Sequence, residues 1–162
     1  MNDKIKIILI GRSMCGKTTM TQFLTNEEIK YHKTQTVQIV NHNMIDTPGE
    51  YIERRYFRGA LMVTSADADV IVLVQAANEG GTMFPPAYAA NYAKPCIGVV
   101  TKADLAQSEE DIENAKAFLR LAGAKDIFVT SSYDGTGFEG FIEWLDRYEE
   151  EKEKKEAAKK KK

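Results

Sequence analysis

The sequence predicts an α/β fold with a mostly parallel central sheet and helices on both faces. Two observations carry this prediction. Gly11-Arg12-Ser13-Met14-Cys15-Gly16-Lys17-Thr18 is a complete G-x-x-x-x-G-K-T phosphate-binding loop, set between an apolar run at 5–10 and a helix-like segment at 17–25. Beyond it, continuous apolar runs alternate with amphipathic segments, the pattern of a sheet buried on both sides.

Each element follows from local pattern. Residues 5–10 read as a buried strand and 17–25 as a helix. Residues 26–33 are polar and irregular, 36–40 alternate as a short strand, and Asn41-His42-Asn43 supplies turn residues. A second strand end leads into Asp46-Thr47-Pro48-Gly49. Residues 50–66 suit a helix, and Val70-Ile71-Val72-Leu73-Val74 reads as a parallel strand. Gly80-Gly81-Thr82 and Pro85-Pro86 mark a loop, followed by a short helix near 87–92. Cys96-Ile97-Gly98-Val99-Val100 is another buried strand, 109–122 an amphipathic helix, and Ile127-Phe128-Val129 the last strand. The last core helix runs from 138 to 148, with Phe141, Ile142 and Leu145 as its stripe.

The predicted organisation is one nucleotide-binding domain over 1–148 and a charged helical or disordered tail over 149–162. The tail holds five Glu and seven Lys and no large apolar side chain. Glu150/Lys154 and Glu151/Lys155 are spaced for helix-stabilising pairs. A solvated helical extension is expected there.

Composition narrows the function. With 162 residues, 43% apolar and 28% charged, the chain is long enough for one real core. A net charge of −2 gives no support to nucleic-acid binding. No apolar stretch approaches the roughly 18 residues that cross a bilayer, so no membrane association is expected. Cys15 and Cys96 do not make a disulfide framework. A cytoplasmic location is expected. His32 and His42 have no cysteine partner for a metal site, and Trp144 suits core packing.

Four motifs fall at the carboxyl ends of predicted strands, where ligands sit in such sheets. In the loop, Gly11, Ser13, Met14, Cys15, Gly16 and Thr19 would surround phosphates with backbone N–H groups, Lys17 would face the β/γ-phosphates, and the Thr18 hydroxyl would ligate Mg²⁺. Asp46 would hold the Mg²⁺ shell, and the Gly49 N–H would approach the γ-phosphate. In Thr101-Lys102-Ala103-Asp104, the Asp104 carboxylate can accept the two edge donors of guanine, a pair adenine lacks, while the Lys102 stem lies over the base. Ser131 and Ser132 would offer backbone N–H to the base oxygen. Cys15 lies at a helix N-terminus, a position that can lower a thiol pKa; a small loop residue is the plainer reading.

These motifs look like the elements of a Ras-like GTPase, and so imply the three-layer P-loop NTPase fold. The match is closer to one family. Thr34-Gln35, then residues 45–53, 63–70 and 97–102 resemble the EutP/PduV proteins that accompany ethanolamine and propanediol utilisation in bacteria. The resemblance covers residues 4–148. It implies association with a bacterial microcompartment, with a shell or metabolic-enzyme partner, and links the family to ATP-dependent acetate phosphorylation.

The departures from a regulatory GTPase are informative. The segment before Asp46 is short, so a switch threonine that touches Mg²⁺ must be Thr34 or Thr36; Thr34 is preferred because Thr36 falls in the predicted strand. Glu50 stands where Ras-like proteins have a water-positioning Gln, and it brings negative charge towards the γ-phosphate. Met14 suits an apolar loop wall and argues against a potassium-activated loop. Arg54, Arg55 and Arg58 read as an exposed helix face. The expected function is GTP binding with Mg²⁺ and slow hydrolysis, with Lys17, Thr34, Gly49 and Glu50 as the catalytic set. Two readings stay open: an ATP-dependent phosphotransferase acting on a carboxylate such as acetate, and a docking module switched by nucleotide without turnover.

Overall fold

The computed structural model describes residues 5–12, 14–17, 19–24, 44–46, 52, 58–131 and 133–160. Five strands form one sheet: β1 (Ile7–Ile10), β2 (Met44–Asp46), β3 (Val70–Ala76), β4 (Cys96–Thr101) and β5 (Ile127–Val129). Their spatial order is β2-β1-β3-β4-β5. Every described pairing is parallel, with Leu9 opposite Asp46, Ile10 opposite Leu73, Ala76 opposite Thr101 and Val100 opposite Val129. The strand expected at 36–40 lies outside the described residues.

Alternation along the strands builds two cores. Ile8, Ile10, Ile71 and Leu73 face one side, against Leu61 of helix α2 (Arg58–Ser65) and Leu119 of helix α3 (Glu109–Ala122). Ile7, Leu9, Val70, Val72 and Val74 face the other, against Met20 and Leu24 of helix α1 (helical at 17 and 19–24) and Phe138, Phe141 and Leu145 of helix α4 (Phe138–Lys160). β1 and β3 are buried throughout because helices cover both faces. Three layers result, as expected.

Several element boundaries shift. β3 runs two residues further than its apolar run, through Gln75 to Ala76, because β4 continues to pair with it. The short helix near 87–92 is a 3₁₀ turn, Tyr88–Asn91. The helix expected over 50–66 is described at Ile52 and from Arg58.

At the C-terminus α4 runs on past Tyr148 as one helix through the charged segment to Lys160. Its continuation is anchored at the end of the sheet away from the phosphate loop. Lys152 Nζ donates to Asp69 Oδ1 at 2.7 Å, and the Lys6 N–H donates to Asp69 Oδ2 at 2.8 Å. Glu149 is buried on the same helix. Trp144 is half-buried, stacks on Tyr148 with centroids 5.5 Å apart, and donates its indole N–H to Asp126 at 2.9 Å. It ties α4 to the turn that precedes β5.

Candidate nucleotide site

The chain leaves β1 at Gly11 in a space that admits no side chain. A Cβ there would lie 2.6 Å from the Val74 carbonyl oxygen and 2.7 Å from Cys15 Sγ. The loop then turns through Met14 at φ 65° and Gly16 at φ 98°. Gly16 packs flat on the end of β4, where a Cβ would stand 3.3 Å from Thr101 Oγ1. Thr101 in turn donates its hydroxyl to the Cys15 carbonyl. Met14 is 87% exposed at the apex, so it forms no apolar wall of the kind its side chain suggested.

Lys17 opens α1 and is buried. Its ammonium folds back into the loop, donating to the Gly11 carbonyl at 2.7 Å and the Arg12 carbonyl at 3.2 Å, with Cys15 Sγ 3.7 Å away. These bonds turn loop carbonyls inwards. Cys15 departs from the lowered thiol pKa that its position allows. Burial pushes its pKa up, and the nearby Lys17 offsets only part of that. It is a packed loop residue.

Across the loop lies the second motif cluster. β4 ends at Thr101, and Lys102 follows in the left-handed region at φ 57°. That turn directs its ammonium to the Met14 carbonyl at 2.5 Å. Asp104 sits on the next turn and accepts the Ser131 hydroxyl on Oδ1 at 2.9 Å. The Ala103 N–H donates to the Thr130 carbonyl at 3.2 Å, which joins the loops after β4 and β5. Gly16, Thr19, Thr101, Lys102, Asp104, Leu105 and Tyr133 enclose a 270 Å³ cavity between the two clusters.

The structure therefore brings Gly11, Met14, Cys15, Gly16, Lys17, Thr19, Thr101, Lys102, Asp104 and Ser131 to one end of the sheet. The backbone of Asp46 ends β2 at the same end, paired with Leu9. Ser13, Thr18, Thr34, Thr36, Gly49, Glu50 and Ser132 lie outside the described residues, as do His32, His42, Arg54 and Arg55.

Two residues escaped the sequence reading. Glu79 follows β3 and is nearly buried beside the loop, 3.9 Å from the Arg12 guanidinium. Burial raises its pKa; the Ala76 N–H and then Arg12 oppose the rise. Tyr133 is 88% exposed yet lines the cavity. Neither belongs to a spaced motif. Their only sequence signal is position just past a strand end.

Fold and loop together define a P-loop GTPase-type domain. The solved structure of elongation factor SelB from Methanococcus maripaludis, in complex with the GTP analogue GppNHp, superposes with a TM-score of 0.61 at 20% identity, over 88% of this chain and 33% of that one. The FeoB G-domain from Methanococcus jannaschii gives 0.60 at 18% identity, over 88% and 95%. The chain belongs to the PduV-EutP family of ethanolamine and propanediol utilisation, whose profile matches residues 4–147. It is 40% identical to the propanediol utilization protein PduV of Citrobacter freundii over 144 residues, 89% of this chain and 95% of that protein. It is 29% identical to the probable acetate kinase EutP of Salmonella typhimurium over 150 residues, 91% and 93%. Among the described residues, no helix is long and apolar enough to cross a membrane.

Proposed function

We propose that this protein binds GTP with Mg²⁺ and hydrolyses it slowly, in the service of propanediol or ethanolamine breakdown. One observation supports the reading above the rest: Gly16 of the phosphate-type loop and Asp104, which Ser131 supports by a hydrogen bond, line one cavity. Their placement at the same end of the sheet, after β1 and after β4 and β5 with β3 between, suits a ligand with phosphates at one end and a hydrogen-bonding base at the other.

In this reading Lys17 exchanges its bonds to the Gly11 and Arg12 carbonyls for phosphate oxygens. The exchange is a swing of a flexible stem, with Met14 and Cys15 beside it held by Lys102 and Thr101. The N–H groups at the start of α1 face the phosphates. Asp104 accepts the two guanine edge donors and the Ser131 hydroxyl orients it. An adenine offers the carboxylate no matching pair of edge donors, so it forfeits the bonds that guanine would make.

The donor set fits Mg²⁺. A strand-end carboxylate at Asp46 and threonine hydroxyls at Thr18 and Thr34 are hard oxygen ligands, and Asp46 ends the strand beside the loop. Bound there, Mg²⁺ supplies positive charge to the β- and γ-phosphate oxygens. Gly49 would present its N–H to the γ-phosphate, and Glu50 would orient water. The charge of Glu50 beside the phosphate is the reason to expect low turnover. A shell protein or metabolic enzyme of a bacterial microcompartment is the proposed partner.

The test is purified protein with radiolabelled GTP or ATP, with and without acetate. Inorganic phosphate from GTP alone is the expected product. Acyl phosphate from ATP and acetate would replace this reading with the activity named for the EutP relative. Binding without turnover would leave a nucleotide-switched docking module. Asp104→Asn should weaken GTP and favour xanthosine triphosphate, whose C2 oxygen replaces the amino donor.

A further inference from the structure

We infer that the pocket between the end of β3 and helix α3 binds a small primary ammonium, carried by a short alkylamine or amino alcohol. The pocket has a volume of 120 Å³, and Gln75, Gly80, Gly81, Asp111, Ala115 and Phe118 are among the residues that line it. It shares no lining residue with the cavity proposed for the nucleotide, so the inference stands apart from that reading.

Gln75 carries the argument. It alternates with Ile71 and Leu73 along β3, whose side chains pack in the core on the α3 side of the sheet. Gln75 is 1% exposed, so an amide stands where its strand neighbours are apolar. Its Nε2 donates to the Gly81 carbonyl at 2.6 Å. A carbonyl only accepts, so that bond fixes which end of the amide is which. Oε1 is then buried with no hydrogen-bond partner among the described residues. A buried acceptor left unpaired costs stability, and a ligand donor removes that cost. Asp111 lines the same pocket from α3. Its Oδ2 accepts the Gln107 N–H at 3.0 Å, which leaves Oδ1 without a partner among the described residues.

The lining selects a cation with an apolar tail. It holds acceptors and a carboxylate but no Lys or Arg. Glu109, Glu110 and Asp111 fill the first turn of α3, and their charge outweighs the positive helix end, worth about half an elementary charge. A carboxylate ligand such as acetate would meet a like charge at Asp111. A bare metal ion fits less well, because Ala77, Ala115 and Phe118 stand where hard cations need oxygens. Those apolar walls suit methylene groups, and an aromatic ring attracts a cation. A cavity of about 150 Å³ takes benzene, so this one has room for an amine of about four or five non-hydrogen atoms. An added Cβ at Gly80 or Gly81 would meet nothing within 4 Å, so the turn beside the pocket leaves space for entry.

The experiment titrates isotope-labelled protein with propylammonium, ethanolamine, potassium, propionate or propanediol, at matched ionic strength in an amine-free buffer. Two-dimensional NMR follows the Gly80, Gly81 and Ala115 amides and the Gln75 side-chain NH₂. Both amines should give saturable shifts with a dissociation constant of about 1 mM, the scale for ligands of this size. Asp111→Asn should weaken both by about tenfold through loss of charge. Its amide oxygen still accepts the Gln107 N–H, so the start of α3 is kept. Gln75→Met removes the acceptor at similar volume and should weaken both amines too; matched thermal melts check its folding, and Asp111→Asn decides alone if it fails to fold. Absence of saturation at about ten times the expected constant overturns the inference and leaves water as the partner of Gln75. Shifts of equal size with potassium, propionate or propanediol overturn the ammonium assignment. So does unchanged amine affinity in Asp111→Asn.

Discussion

Gly137 gives the sharpest structural prediction, because two glycine-to-alanine changes in this chain should move stability in opposite directions. Gly137 precedes α4 at φ 84°. A Cβ there would fall 1.8 Å from the Val129 carbonyl oxygen and 2.8 Å from its carbon. Both are backbone atoms of β5, so no side-chain rotation relieves the clash. Alanine in the left-handed region costs about 1–2 kcal/mol, and forced displacement in a packed region costs about 1–3 kcal/mol more. Alanine recovers about 0.5 kcal/mol by narrowing the unfolded ensemble. The net loss is about 3 kcal/mol. Gly59, the second residue of α2, has no neighbour within 4 Å of an added Cβ. Gly59→Ala should therefore gain up to about 0.5 kcal/mol from helix propensity. Urea unfolding followed by Trp144 fluorescence measures both, since Trp144 rides on the helix that Gly137 introduces. At a slope near 2 kcal/mol per molar urea, Gly137→Ala should lose about 1.5 M in midpoint. A loss under about 1 kcal/mol would refute the geometric reasoning. The Thr136 carbonyl just before Gly137 accepts the Ser131 N–H at 3.0 Å, so nucleotide affinity should fall with stability.

Other perturbations follow from named contacts. Lys17→Ala should weaken triphosphate binding by at least about tenfold, the scale of charge-assisted hydrogen bonds; unchanged affinity by calorimetry would remove the phosphate assignment. Glu79 has a raised pKa in the folded chain, chiefly through burial. The folded state holds its proton more tightly than the unfolded one, so stability should fall as pH rises from about 4.5 through the raised value. Glu79→Gln should flatten that fall and raise the urea midpoint at neutral pH; an unaltered profile contradicts it. Lys152→Ala breaks a partly exposed pair with Asp69, so it should cost less than about 1 kcal/mol. It should nevertheless speed amide hydrogen exchange over 149–160, and protection equal to wild type would show that the helix needs no such anchor.

What the sequence reveals depends on how far apart the responsible residues lie. The phosphate loop is contiguous and its neighbours 5–10 and 17–25 are apolar in different periods, so the loop and its setting were both readable. β5 and α3 match residue for residue because their boundaries are set locally, by apolar runs and by the acidic first turn of 109–111. The anchoring of α4 was not readable. A helical extension past Tyr148 was expected, but its tie to Asp69 lies 83 residues away in sequence. Glu150/Lys154-type spacing permitted a helix there without requiring one. Glu79 and Tyr133 were hidden for the same reason. Glu79 acquires meaning only when β3 pairs with β1 and carries it to Arg12, and Tyr133 only when Ser131 reaches Asp104, 27 residues earlier.

The same long-range contacts hold the loop in shape through its backbone carbonyls. Lys17 takes the Gly11 and Arg12 carbonyls, Lys102 takes that of Met14, and Thr101 takes that of Cys15. The Met14 and Cys15 carbonyls stay fixed by Lys102 and Thr101 even when Lys17 turns to phosphate, so these two peptide planes are pre-oriented and the ordering cost of binding is lowered. Two of the three side chains, Thr101 and Lys102, come from the end of β4, next to the carboxylate proposed to read the base. A shift in the Thr101–Asp104 turn would thus be felt at Met14 and Cys15. Base recognition and phosphate recognition are coupled through Lys102 and Thr101, and Lys102→Ala should loosen phosphate binding even for tripolyphosphate, which has no base to contact. Competition of tripolyphosphate against MgGTP measures this directly. Unchanged tripolyphosphate affinity in that variant would show that the two halves of the site act independently.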